Sequence, residues 1–376
     1  MYVEQAQLKN IEKLLEPNKA VVILGPRRCG KTTLLNHFSQ KLTDKYLFVN
    51  GEDIYDRKYL SSGSIAQLKN FMGDNSVLII DEAQKIENIG LNMKLILDHI
   101  KGIKVIATGS SAFNLLSEVG EPLTGRKYTL KLYPLSQMEL DSIENPAERS
   151  ALLETRMIYG AYPEVVLNKD NRRNMLYLRE IVDSYLYRDI LEMAGVRRPD
   201  KIIQLLQLLA FQIGKEVSFA ELGAKLGMSK NSVERYCDLL EKSFVIYRLR
   251  GFSRNLRKEI TKNPRCYFYD NGVRNALINN FNPLSMRNDT GELWENYILT
   301  EMMKKYEYDM LPANKYFWRT YDQKEIDLVI ERGGRLFGYE IKWSPRKVSP
   351  PKDWSRSYQN SSYTVITKDN YTDFIV

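Results

Sequence analysis

The chain has 376 residues, 43% of them hydrophobic and 27% charged, and this length suggests two or three domains rather than one core. No apolar run nears the roughly 20 residues that span a membrane, and Met1-Tyr2-Val3-Glu4-Gln5 opens no secretory leader. Three cysteines without C-x-x-C spacing and two histidines point away from a disulfide framework and a structural zinc site, and toward a reducing, cytoplasmic setting.

Residues 5–15 carry the apolar period of an amphipathic helix. The apolar strand Val21-Val22-Ile23-Leu24 then runs into Gly25-Pro26-Arg27-Arg28-Cys29-Gly30-Lys31-Thr32-Thr33, which is G-x-x-x-x-G-K-T followed by a helix. That is a phosphate-binding P-loop in strand–loop–helix context. Gly25 and Gly30 let the loop turn its N–H groups inward, and the helix N-terminus adds positive potential. Residues 25–33 are therefore the candidate nucleotide contacts. Lys31 reaches the β- and γ-phosphates, and the Thr32 hydroxyl takes one Mg²⁺ position.

Strands follow at 45–49 and 76–80, separated by a helix at 65–72. The run Val77-Leu78-Ile79-Ile80-Asp81-Glu82 reads as a buried parallel strand ending in two carboxylates, where open α/β sheets bind ligands. Asp81 holds Mg²⁺, directly or through water, and Glu82 orients the attacking water. An acidic residue at this position suits a hydrolysing enzyme rather than a mere binder. After a helix at 91–100, the strand at 103–108 ends in Gly109-Ser110-Ser111, and Ser110 takes a γ-phosphate-sensing position. Arg126 in Leu123-Thr124-Gly125-Arg126 is a candidate transition-state charge, acting in cis or across a subunit interface of a homo-oligomer; an ordinary surface arginine reads the same way. A last strand is expected at 128–132. The alternation predicts a three-layer α/β domain with a mostly parallel sheet over residues 1–150.

Residues 151–285 read as a helical and winged-helix domain. Helices are expected at 177–186 and 202–213, then a short helix at 218–226, a Gly227-Met228 turn, and a helix at 230–243 capped by Ser229. A strand at 244–249, a basic turn at 253–264 and a strand at 265–269 complete helix, turn, helix and hairpin. Most of the +8 net charge lies here: residues 151–290 hold 23 Lys and Arg against 16 Asp and Glu. A localised basic surface is the electrostatic footprint of nucleic-acid contact. Lys230, Asn231 and Arg235 would enter the major groove, and Arg254, Arg257, Lys258 and Lys262 would touch phosphate. The same module also serves as packing beside ATPase cores, and both readings stand.

Residues 286–376 form a small α/β domain. A helix carries Glu295, a strand carries Asp327, a Gly333-Gly334 turn follows, and the next strand carries Glu340 with Lys342. Residues two apart share a strand face, so Glu340 and Lys342 point together, and a hairpin brings Asp327 to them. Two carboxylates and a lysine suit metal-dependent phosphodiester cleavage: Asp327, Glu340 and Glu295 as ligands, Lys342 orienting or deprotonating water.

This D-x₁₂-E-x-K pattern resembles the PD-(D/E)xK nuclease superfamily, with Ile326 in place of the proline. The chain as a whole resembles a family of bacterial and archaeal predicted ATPases. These join an AAA-type P-loop core to a winged helix and a restriction-endonuclease-like domain. The P-loop, Asp81-Glu82-Ala83-Gln84, Thr108-Gly109-Ser110-Ser111, Leu123-Thr124-Gly125-Arg126, Tyr185-Leu186-Tyr187-Arg188-Asp189-Ile190 and Trp294-Glu295-Asn296 carry that resemblance. It implies ATP and Mg²⁺ as cofactors, P-loop roles for Lys31, Thr32, Asp81 and Glu82, and nuclease-type roles for Asp327, Glu340 and Lys342. The expected activity is Mg²⁺-dependent ATP hydrolysis coupled to DNA binding. The alternatives are a slow switch acting through protein contacts and an ATP-regulated nuclease.

Overall fold

Apolar runs of five or six residues followed by turn residues form parallel strands when helices cover both faces. The computed structural model, which describes residues 2–110, 122–186, 198–254, 263–320, 322–344 and 348–376, places three such runs and two more polar strands in one sheet. They are β1 (Lys19–Leu24), β2 (Tyr46–Asn50), β3 (Val77–Asp81), β4 (Lys104–Gly109) and β5 (Lys127–Lys131), in the order β2-β3-β4-β1-β5. Every pairing is parallel, so the loops after β1, β3 and β4 gather at one edge. One face packs Val21, Ile23, Val77, Ile79, Ile106 and Leu130 against Leu8, Ile11, Leu34, Leu35 and Phe38 from helices Gln7–Leu14 and Lys31–Lys41. Val22, Leu78, Ile80 and Val105 alternate to the other face and are equally buried. The expected helix at 65–72 and the four expected later strands are present, each within a residue or so of its expected bounds. Helix Ile54–Leu60, capped by the Asp53 carboxylate, was not foreseen.

The chain divides into two compact units: Tyr2–Leu135 with Lys242–Phe244, and Ser136–Glu241 with Val245–Val376. The expected division near residue 150 therefore falls inside the second unit, whose helix Pro146–Tyr159 begins earlier, at an Asn145 capping box. The expected division at 285 lies there too. The reason is a shared sheet in the order β11-β10-β9-β8-β6-β7. β6 (Ile246–Gly251) and β7 (Arg265–Phe268) form an antiparallel hairpin after helices Phe219–Leu226 and Lys230–Lys242. β6 then pairs parallel with β8 (Asn314–Arg319) through Arg250↔Tyr316 and Gly251↔Phe317. β9 (Glu325–Arg332) and β10 (Arg335–Ile341) join through Gly333-Gly334, both at positive φ, as a two-residue hairpin turn requires. β11 (Ser361–Ile366) adds parallel to β10. An aromatic-rich core of Phe252, Trp318, Ile326, Val329, Leu336 and Trp354 packs beside this sheet. Helix Thr290–Tyr308 contacts both β7 and β10. The helix expected at 177–186 begins as Asn171–Glu180 and widens into a π-turn over Ile181–Leu186. Tyr187 to Ile190, Ser111, Arg257, Lys258 and Lys262 lie outside the described residues.

Candidate nucleotide site and C-terminal carboxylate cluster

The P-loop leaves β1 where backbone approaches backbone. A Cβ on Gly25 would stand 2.1 Å from the Leu132 carbonyl oxygen, so this glycine serves close packing rather than a turn. The turning is done by Arg28 at φ 61° and Gly30 at φ 101°. Lys31 is 4% exposed, and its ammonium donates to the Gly25 and Pro26 carbonyls at 2.9 and 2.8 Å, so it lies inside the loop. Pro26 is buried, Arg27 is half-buried, and Arg28, Thr32 and Thr33 are exposed. Cys29 takes part through its backbone only: its side chain joins the core, and burial raises its thiol pKa. Gln5, missed in the sequence, donates to the Cys29 carbonyl at 3.0 Å and braces the loop from behind.

The second half of the site comes from β3 and β4. The Thr32 hydroxyl donates to Asp81 Oδ2 at 2.6 Å, and the Thr108 hydroxyl donates to Asp81 Oδ1 at 2.5 Å. Thr108 also accepts from the Glu82 N–H at 3.0 Å. Glu82 sits at φ 51°, a left-handed conformation costly for a side chain with Cβ. The Thr108 contact helps hold it there. Gln84 donates to Glu82 Oε2 at 2.5 Å and to Ser110 Oγ at 3.0 Å, which links Ser110 to Glu82. Thr108 and Gln84 were visible only as members of signature runs.

Arg126 does not join this site. Its residue immediately precedes β5, and its carbonyl accepts from the Ala20 N–H at the start of β1. A strand of six residues separates that edge from the P-loop by roughly 17 Å. Its guanidinium pairs instead with Asp98 at 2.8 Å. The in-cis role is thereby corrected.

In the second unit, the register Tyr339↔Leu328 puts Glu340 opposite Asp327, and the expected groups do converge. Lys342 lies 2.7 Å from Glu340 Oε1 and 3.6 Å from Asp327 Oδ2, which also accepts from the Ile341 N–H at 2.8 Å. Glu295 faces the same group and accepts from the Tyr267 hydroxyl at 2.6 Å. Burial, then the Asp327 charge, pushes Glu295 up to about 8 and Glu340 up to about 7, while burial raises Asp327. Burial works against the Lys342 charge, but Asp327 and Glu340 outweigh it and its pKa rises. A cavity of about 550 Å³ borders the cluster, lined among others by Lys215, Glu292, Arg319 and Trp343.

Sequence spacing gave no sign of Arg265, the first residue of β7. It is 4% exposed and lies 3.7 Å from Asp327 Oδ1, 3.8 Å from Glu295 Oε1 and 2.5 Å from Glu325 Oε2. Positive side chains thus engage the whole expected metal set: Lys342 takes Glu340, and Arg265 approaches Asp327 and Glu295. Among the described residues, no three His, Cys, Asp or Glu side chains form a group that could hold a metal ion.

Residues 17–141 match the family model of an AAA domain, residues 150–284 match a domain of unknown function (DUF8612), and residues 290–370 match another (DUF4143). With the all-parallel sheet and the P-loop, the first match makes the N-terminal part an AAA-type P-loop ATPase domain, built for nucleotide binding and hydrolysis. An uncharacterized protein of Mycobacterium tuberculosis is 26% identical over 336 residues, 88% of this chain and 72% of that protein. One from Methanocaldococcus jannaschii is 25% identical over 341 residues, 86% and 74% respectively. A solved Walker-type ATPase of Pyrococcus abyssi is 16% identical, covers 74% of this chain and 96% of its own, and superposes with a TM-score of 0.49. Among the described residues, no helix is long and apolar enough to cross a membrane.

Proposed function

We propose that this chain is an Mg²⁺-dependent ATPase whose nucleotide state governs DNA binding by the segment around helix Lys230–Lys242 and the β6–β7 hairpin, read as a winged helix. The observation that carries the first half is the Thr32–Asp81–Thr108 network, which presents a hydroxyl and a carboxylate oxygen 2.6 Å apart beside a buried lysine. This donor set fits Mg²⁺ and phosphate: Thr32 and Asp81 would hold the ion, and the loop amides and Lys31 the phosphates. Bound Mg²⁺ would neutralise phosphate charge. Lys31 exchanges its two loop carbonyls for phosphate oxygen. Glu82 orients the attacking water, with Gln84, itself bonded to Ser110, holding its carboxylate in place. Arg126 could serve this chemistry only from another copy of the chain.

The DNA half is supported by the basic excess of residues 151–290 and by Lys230, Asn231 and Arg235 on the exposed face of their helix. Arg254 is exposed beside the hairpin. Arg248 adds nothing to it, because Asp238 and Glu241 neutralise it at 2.5 and 2.6 Å.

The test is ATP turnover with and without duplex DNA. Lys31→Ala should lose tight nucleotide binding, and Glu82→Gln should keep it while turnover falls about 10²-fold or more. Equal turnover in Glu82→Gln and the unaltered chain removes Glu82 from the mechanism. Failure to bind duplex DNA at low salt transfers the reading to a switch acting through protein contacts.

A further inference from the structure

Four carboxyl groups meet in the C-terminal cluster: Glu295, Glu325, Asp327 and Glu340. Two cations answer them. Lys342 takes Glu340 and one oxygen of Asp327. The Arg265 guanidinium takes the other oxygen of Asp327 together with Glu295 and Glu325. Mg²⁺ demands near-octahedral oxygen ligands at about 2.1 Å. An ion touching both Asp327 Oδ1 and Glu295 Oε1 would lie against a guanidinium within 3.8 Å of each, where little solvent screens the two positive charges.

Arg265 is also held from moving aside. Its backbone pairs with Leu249 on one side and bridges Glu216 on the other, and the Pro264 carbonyl before it accepts from the Val217 N–H. Glu216 is anchored by Arg319 at 2.7 Å. The guanidinium itself lies over the Phe317 ring, 4.6 Å from its centroid. These contacts come from three places in the unit: the β6–β7 hairpin, the segment before helix Phe219–Leu226, and β8.

We propose that Arg265 is the resident cation of this cluster. It excludes a divalent metal from Asp327 and Glu295 and makes the site a latch between β7 and the β9–β10 hairpin, so the unaltered chain does not cleave DNA there. This stands apart from the ATPase reading and does not depend on it.

The test titrates Mn²⁺ into the full, nucleotide-free chain and follows the free-ion electron paramagnetic resonance signal, with a Mn²⁺ cleavage gel on the same samples. The unaltered chain should show no Asp327-dependent site and no cutting. Arg265→Met keeps a long side chain over Phe317 but removes the charge, and should gain one site at least tenfold tighter. That site should vanish when Asp327→Asn is added, and Mn²⁺ should raise the melting temperature of Arg265→Met alone. Mn²⁺ binding or cleavage by the unaltered chain that Asp327→Asn abolishes overturns the proposal. So does an Arg265→Met protein that binds no more tightly than the unaltered one. If Arg265→Met does not fold, Arg265→Gln replaces it. If neither folds, refolding with and without Mn²⁺ decides: metal-dependent recovery supports the latch, and no recovery overturns it.

Discussion

Thr108→Val isolates a residue that no nucleotide motif assigns. Valine has nearly the shape of threonine, so this fully buried position keeps its packing and loses only a hydroxyl. That hydroxyl donates to Asp81 at 2.5 Å and accepts from the Glu82 N–H at 3.0 Å. A hydrogen bond to a charged group is worth about 1.5–3 kcal/mol, and a partly buried N–H left without its partner costs about 1 kcal/mol more. The sum, about 3 kcal/mol, lowers the melting temperature of the N-terminal unit by roughly 10 °C at its size. Nucleotide affinity should change little, because Thr108 touches the Asp81 carboxylate and the Glu82 N–H rather than the P-loop. Turnover should fall about 10- to 100-fold, since Glu82 loses a contact that holds its left-handed backbone. Calorimetry, nucleotide titration and phosphate release on one preparation separate these effects. Melting within about 2 °C and turnover within about twofold of the unaltered chain would refute the reasoning.

Gly25→Ala should destabilise the N-terminal unit by about 3 kcal/mol or more and impair nucleotide binding, because its Cβ would meet the Leu132 carbonyl oxygen at 2.1 Å and backbone cannot yield cheaply. Gly125→Ala, at φ 75° but facing open space, should cost only about 1 kcal/mol; equal melting shifts for the two would show that close approach is not what selects Gly25. Glu295, at about 8 when folded against 4.5 ordinarily, binds more protons folded than unfolded between those values, so its contribution to stability falls as pH rises through that window. Glu295→Gln should therefore match the unaltered chain near pH 4.5 and become more stable above pH 8. The difference should be about 1–3 kcal/mol, discounted because the side chain is 16% exposed and paired with Arg265. Denaturant melts across that range read the difference directly, and a gap that does not grow with pH sinks the assignment.

How much of this was legible in one dimension depends on the range of the contacts. Val21 to Leu24, Val77 to Asp81 and Lys104 to Gly109 are local apolar runs with turn residues behind them, and strand periodicity and loop chemistry are local properties. The P-loop is legible for the same reason, since nine consecutive residues carry its chemistry. The convergence of Asp327, Glu340 and Lys342 was also readable, because a two-residue Gly333-Gly334 turn sets the register between adjacent strands.

Only the tertiary structure decided the rest. Thr108 acts on Asp81 across a parallel pairing 27 residues away, and Gln5 reaches the P-loop from 24 residues upstream. Arg126 follows a familiar run, yet parallel strands carry it to the opposite sheet edge from the loop it was expected to serve. Arg265 lies 62 residues before Asp327 in sequence and 3.7 Å from it in space. That contact exists because β6 pairs with β8 and merges two expected domains into one sheet. The sequence by itself determined which residues make a phosphate loop and a carboxylate hairpin. Which charges fill that hairpin was decided by strand order, because desolvated cations and carboxylates must pair with whatever the fold brings within reach.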